Sequence, residues 1–581
     1  MTARLGSALT HFVRKRARKG LLVASLLAGS ALNAAANTEL LDDLAERDYP
    51  LSLSGSYLAA LTANNSRDLG AAALYYDRAL AVDPDNVVLV ERAFVLKMAD
   101  GDIDGAIKFT SAILERDPEN RFARMALGAM ALKEKSFKKA AKEFDQIQEG
   151  PLARLTGALL HAWTLSADKD YDAALELLDK LEGPEWYDTF RLYHTGLIAQ
   201  IGEKTDIAAK NLKAAYEVDP NVLRTTEAYA RFLLREGMEE EGKELVDQLT
   251  QRVTNRPSLD EIVADIAEGK TPKRLVRTSH QGAMEVFFGL GSAIGREGGE
   301  EVSYVYLNLA SYLDPENALP RLALGELLEA DGRYENAIES YQAIGDASLH
   351  KTNAIIRTAF AYNALDKLDE TRSIMLKLIE NQPDNLIAIN SYANILRSHE
   401  LYQEALQFYD RAISRIDNNP QPENWGMYYS RGIAHERTDR WEEAEADFRQ
   451  ALKLSPDEPQ VLNYLGYSFI DMGLNYDEAI GMIKTAVRLR PNDAFIIDSL
   501  GWAYFKLKDY DNAVLHLERA VELRPQDPIL NDHLGDAYWH IGRKLEAVFQ
   551  WSHARDLDPE PVDLKKIVKK IEAGYIEDKD G

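Results

Sequence analysis

Near the C-terminus, Asp532, His533, Asp536 and His540 are residue types that bind metals or move protons. On a helix, Asp536 and His540 share one face at the i, i+4 spacing that two ligands of a cation could use. A repeat helix with polar groove positions produces the same spacing, so no metal site is assigned. His435-Glu436 opens like a zinc-protease helix, but Asp439 stands where the second histidine is required. Gly289-Leu290-Gly291-Ser292-Ala293-Ile294-Gly295 approximates a dinucleotide-binding loop after the strand-like run Val286-Phe287-Phe288. That chemistry needs a parallel sheet around the loop. No second strand is legible nearby, and 308–314 fits the second helix of a hairpin, so these glycines read as places of close helix packing. The chain has no cysteine, which excludes disulfides, thiolate metal sites and a cysteine nucleophile. With no nucleophile elbow or phosphate loop either, the sequence assigns no catalytic residue, cofactor or metal, and the chain is read as not an enzyme.

The elements that carry these residues recur. Pro456, Pro491, Pro525 and Pro559 are spaced 35, 34 and 34 residues, and Gly432, Gly466, Gly501 and Gly535 are spaced 34, 35 and 34. Ala479, Ala513 and Ala547 keep the same step, as do Ala486, Ala520 and Ala554. Earlier, Asp83-Pro84 precedes Asp117-Pro118 by 34. Three residue types in one phase predict a two-helix unit. A small residue on each helix permits close approach, and large apolar residues such as Ile497, Leu500, Tyr504 and Leu517 fill the space between. The proline ends the second helix, and the Asp or Asn behind it caps the next. One such pair cannot bury its own apolar face, so the units must stack. The pattern resembles the tetratricopeptide repeat (TPR), which implies an all-α right-handed solenoid of about fourteen units.

The expected organisation is a leader at 1–36, an N-terminal superhelix at 37–254, a joint at 255–281, a C-terminal superhelix at 282–559, and a capping helix with tail at 560–581. The clear units lie at 53–86, 87–120 and 423–559. Asn475 marks a one-residue insertion. The joint carries Pro257, Gly269 and Pro272 and leads into six glycines between 282 and 299. A hinge and a wedge that plugs the groove both fit it. In the capping helix, Lys565, Lys566, Lys569 and Lys570 are placed on a polar face.

In this repeat, positions 2, 5, 9 and 12 of each first helix face the concave surface. Over the last four units the candidate partner-binding residues there are Tyr429, Tyr467, Phe495, Asp498, Trp502, Phe505, Asp532, Asp536 and Trp539. Aromatics interleaved with carboxylates suit an apolar helix or peptide that is neutral or basic. Asn390, Asn394 and Arg397 could bond a peptide backbone in an earlier unit.

The first 36 residues hold six basic residues (Arg4, Arg14, Lys15, Arg16, Arg18, Lys19) and no acid, then an apolar stretch at 21–32 and Ala34-Ala35-Ala36. This is the order of a cleavable secretory signal, and twelve residues are too few to span a bilayer as a helix. The chain carries 68 Lys+Arg and 94 Asp+Glu, a net charge of −26. Removing the leader's six positive charges would leave −32. Such acidity excludes a general nucleic-acid binder and docking on anionic lipid by charge alone. The hydrophobic share of 46% excludes wholesale disorder. A periplasmic location is expected, with no membrane span after signal cleavage.

The runs Leu462-Asn463-Tyr464-Leu465-Gly466-Tyr467, Ile497-Asp498-Ser499-Leu500-Gly501-Trp502 and Asn531-Asp532-His533-Leu534-Gly535-Asp536 resemble a kind of proteobacterial periplasmic TPR adaptor. That resemblance implies binding to a carboxyl-terminal processing serine protease and presentation of envelope substrates to it. Adaptors of this kind are often tethered through a lipidated N-terminal cysteine. This chain has none, so the implied role is a soluble adaptor or scaffold. The alternative is a scaffold in envelope assembly, for polysaccharide or outer-membrane export.

Overall fold

A computed structural model describes residues 52–66, 68–252, 257–416 and 418–575. The leader at 1–36, the start of the joint and the last six residues lie outside them. The described residues form α-helices and one 3-10 turn, Pro422–Asn424, with no strand among them. The helices pair into fourteen antiparallel hairpins, nine before residue 382 and five after it. The run 286–288, strand-like in sequence, lies inside the helix Ser279–Arg296.

Four successive hairpins near the C-terminus share one contact. A Cβ added to Gly432 would lie 2.7 Å from the Phe448 ring, one on Gly466 2.8 Å from Ile483, one on Gly501 2.6 Å from Leu517, and one on Gly535 2.5 Å from Trp551. The missing side chain on the first helix is the socket for a large side chain on the second. Asn86, Asn120, Asn317, Asn385, Asp493 and Asp527 each accept a hydrogen bond from a backbone N–H in the first turn that follows. These are the caps expected behind the helix-ending residues. Between the two helices one residue takes the left-handed conformation, for example Glu400, Asp439 and Lys508 at φ 62°, 59° and 62°. It turns the chain so that the N–H of Asp509 reaches Tyr504 O at 2.9 Å, closing the helix end. Asn475 takes this conformation at φ 44°, directly before Tyr476–Leu489, where the inserted residue was expected.

The chain divides into two compact units whose boundary falls between Asn381 and Gln382, not at 255–281. The reason is the hairpin Ser279–Arg296 and Glu300–Leu313. It packs against Val87–Asp100, Arg121–Lys133, Pro151–Ala167 and Tyr187–Ile201, the first helices of four successive hairpins. Asn308 Nδ2 donates to Ala99 O at 2.8 Å, Tyr312 OH to Asp104 Oδ1 at 3.0 Å, and the Tyr306 and Thr156 hydroxyls meet at 2.9 Å. Gly282 lies against the face of Trp163. Trp163 Nε1 in turn donates to His194 Nδ1 at 3.0 Å, and burial draws the His194 pKa down to about 3, keeping the ring a neutral acceptor. The hairpin 279–313 thus forms a wedge against those helices, and Gly282 lets it sit close to Trp163.

The remainder of the joint is strapped down. After Pro257–Ala267, residues 268–278 pass alongside Leu223–Arg235. Arg231 donates to Lys273 O and Ser258 O, each at 3.2 Å, and Arg235 to Pro272 O at 2.9 Å. Glu285, 2% exposed, pairs with Arg224 and accepts from Tyr193 OH at 3.2 Å. This buried pair ties the wedge to the helix below it. Removing one partner of a buried pair costs about 3 kcal/mol or more. Glu285→Gln should therefore lower hydrogen-exchange protection of the 279–313 amides about a hundredfold, while protection at 459–556 is unchanged.

Candidate functional site

The five hairpins of the second unit pair Leu386–Ser398 with Tyr402–Ile413, Trp425–Glu436 with Trp441–Leu454, Pro459–Met472 with Tyr476–Leu489, Ala494–Lys506 with Tyr510–Leu523, and Pro528–His540 with Lys544–Asp556. The helix Pro561–Ala573 then packs on the last pair. Its lysines do not all face water. Lys570, placed on a polar face from sequence, reaches Asp532 at 2.9 Å and Asp536 at 2.7 Å. Burial opposes its charge, but the two carboxylates outweigh burial and raise its pKa.

Most residues expected to line an open groove are covered by their own chain. Asp498 accepts from His533 Nδ1 at 3.0 Å. Trp502 stacks on His533, ring centroids 4.1 Å apart, and on Phe505 at 4.8 Å. Phe505 also meets His540 and Tyr575. Tyr429 packs edge-on against Tyr464 and near Phe448. Tyr467, Trp502, Phe505, Asp498 and Asp532 are each 6–8% exposed, Tyr429 9% and Asp536 2%. Their exposure is thus corrected: the following repeat or the terminal helix occupies the space beside them. Two remain partly open. Phe495 lies under the Arg524 guanidinium at 4.8 Å, and Trp539 under the Lys544 ammonium at 4.8 Å, with Gly574 against its edge.

The acids of this face interact as a set. Burial raises the Asp536 carboxyl to a pKa of about 6, with Lys570 and His533 pulling it down and Asp532 pushing it up. Its Oδ1 accepts from Trp551 Nε1 at 2.9 Å. His540 Nδ1 meets the Asp536 backbone carbonyl at 2.8 Å, so that ring nitrogen is engaged by its own helix. Burial likewise raises Asp498, opposed by His533. Asn394 Oδ1 accepts from Tyr409 OH at 2.7 Å, and Tyr409 OH also accepts from Arg397 Nε at 3.3 Å. Asn394 and Arg397 are therefore engaged within their own hairpin, whereas the Asn390 side-chain oxygen is buried without a hydrogen-bond partner.

Sequence reasoning missed apolar side chains that stand open near the C-terminus. Leu545 is 86% exposed and Phe549 69%, one turn apart on Lys544–Asp556, and Leu515 is 61% exposed on the preceding second helix. The signal was present in the repeat register. Leu545 stands 34 residues after Asp511, which stands 34 after Asp477, so an apolar residue takes a place that is acidic in the two units before.

Two repeat models match stretches of the chain that form helical hairpins. A TPR family model matches residues 501–542 and another 92–153. A model of the pre-mRNA-splicing factor Syf1/CRNKL1 C-terminal HAT repeat matches 331–494. A TPR repeat-containing protein of Pseudomonas aeruginosa is 27% identical over 190 residues, covering 32% of this chain and 30% of that protein. The CTR9 homolog of Arabidopsis thaliana is 22% identical over 263 residues, 45% of this chain and 19% of that protein. The chain thus spans less than a third of the length of the curated relatives it matches first. Among solved structures, the APC/C Cut9–Hcn1 hetero-tetramer aligns over 91% of this chain and 98% of that one, at 16% identity and a TM-score of 0.39.

The Asp536 carboxyl makes a prediction. The folded state keeps its proton to about pH 6, whereas an unfolded aspartate releases it near pH 4. Between those values the folded state binds more protons, so this group's contribution to stability falls as pH rises from about 4 to about 6. Asp536→Asn, which keeps an acceptor for Trp551, should flatten that slope when urea midpoints are compared across the interval. The helical hairpins with glycine sockets, the 34-residue step and the models that match 92–153 and 501–542 together support tetratricopeptide-type repeats in this chain.

Proposed function

We propose that this protein is an exported, non-catalytic scaffold or adaptor that works in the periplasm by protein–protein contact. The finer reading is that it binds a carboxyl-terminal processing protease and presents envelope substrates to it. The observation that carries the scaffold reading is the uncovered apolar face at Leu515, Leu545 and Phe549 on stacked repeats. Large apolar side chains left open together on a repeat solenoid are contact sites for another protein. The leader pattern at 1–36 supports export, and the runs around Gly466, Gly501 and Gly535 support the adaptor reading. No described helix is long and apolar enough to cross a membrane.

Cross-linked affinity purification of a C-terminally tagged chain from the cell envelope tests this reading. A processing protease as the dominant partner is the expected result, and purified chain should then accelerate its proteolysis. Export or synthesis machinery in its place would replace the protease reading with the envelope-assembly one. Leu545→Asp with Phe549→Asp should reduce capture at least about tenfold with the helical circular dichroism unchanged, because neither side chain is buried.

A further inference from the structure

A cavity of about 380 Å³ lies within the first unit. The C-terminal ends of Val87–Asp100 and Arg121–Lys133 form one side. The wedge helix Glu300–Leu313 and the hairpin Ala318–Ala330 with Tyr334–Gln342 form the other. Its size is that of small-molecule sites. Three of its polar atoms are buried without a hydrogen-bond partner: Ser311 Oγ, Arg321 Nε and Arg333 Nε. Ser311 is only 7% exposed.

The neighbouring polar groups are engaged elsewhere. The Asn308 amide is spent on Ala99 O, the Asn336 carbonyl accepts from Arg333 Nη2 at 3.3 Å, and the Lys133 ammonium rests over the Tyr312 ring at 3.8 Å. Arg357, in the next hairpin, shows what a satisfied arginine looks like here: Glu326 at 3.2 Å and Glu329 at 3.3 Å. Arg321 has no such partner, and burial alone lowers its pKa. A half-buried guanidinium and an unpaired hydroxyl lining one cavity are costly unless acceptors meet them. A planar guanidinium is also the group best shaped to hold a carboxylate or phosphate. Two carboxylates line the cavity as well. Asp100 is raised by burial and opposed by Arg333, and Glu339 is exposed. A fitting ligand therefore presents its anionic end to the arginines and a polar or cationic part to Asp100.

We infer that this cavity binds a small ligand through an oxyanion, a carboxylate or a phosphate, held by Arg321, Arg333 and Ser311.

Calorimetric titration of the full chain in low-salt buffer with citrate and with inorganic phosphate tests the assignment. Saturable binding of either supports it, and citrate or phosphate preference identifies the group recognised. Arg321→Gln should weaken binding at least about tenfold and Ser311→Ala severalfold, while Arg543→Gln, exposed in the other unit, should leave it unchanged. If Arg321→Gln loses its helical signal, Ser311→Ala carries the test alone. No saturable binding up to millimolar anion would overturn the inference, as would equal binding by wild type, Arg321→Gln and Ser311→Ala, or equal weakening by Arg543→Gln.

Discussion

The whole molecule depends on the distance between two helices. Where Gly432, Gly466, Gly501 and Gly535 stand, the first helix has no side chain, and Phe448, Ile483, Leu517 and Trp551 fill the gap from the second. The socket is constant while its occupant changes from an aliphatic to a ring. Alanines at 479, 513 and 547 are fully buried on the facing helix. Close backbone approach lets a short hairpin, unstable alone, offer a flat apolar face to the next one. Everything larger, including the concave surfaces, inherits its spacing from that contact.

Stacking leaves the inner positions of the first helices to be covered, and this chain covers many of them itself. In the first unit the wedge at 279–313 does so, held by backbone carbonyls at Ala99 and Leu132 and by the Glu285–Arg224 pair. In the second unit, His533 covers Asp498 and Trp502, and Lys570 bridges Asp532 and Asp536. A carboxylate in a repeat groove is thus as readily a bond to the next repeat as a recognition group. Among the open apolar side chains of the second unit, Leu515, Leu545 and Phe549 lie on second helices.

The local rules were legible in the sequence. Proline and glycine spacing gave the hairpins, the Asp and Asn behind the prolines gave the caps, and the insertion at Asn475 was visible as one extra residue. The destination of the wedge was not legible. Its residues form an ordinary helical hairpin by pattern, and the contacts that place it, such as Asn308 with Ala99, join residues about two hundred positions apart. Periodicity reports neighbours one repeat away and is blind to such pairs. The same limit applied to Lys570. On its own helix it looks like one of four solvent-facing lysines, and only the packing of that helix on Pro528–His540 shows which of them meets the acids.

The wedge also sets an order of events. A simple solenoid gains order one neighbour at a time, starting anywhere along its length. Here the helices Val87–Asp100 through Tyr187–Ile201 meet their filling only through a segment that ends at Leu313. During synthesis those early repeats must wait for more than a hundred further residues before their inner faces are dry. Closing so large a loop is slow compared with forming any single hairpin. The inner faces of the early repeats are therefore covered late, when the wedge docks, whereas the hairpins that follow it can add one by one.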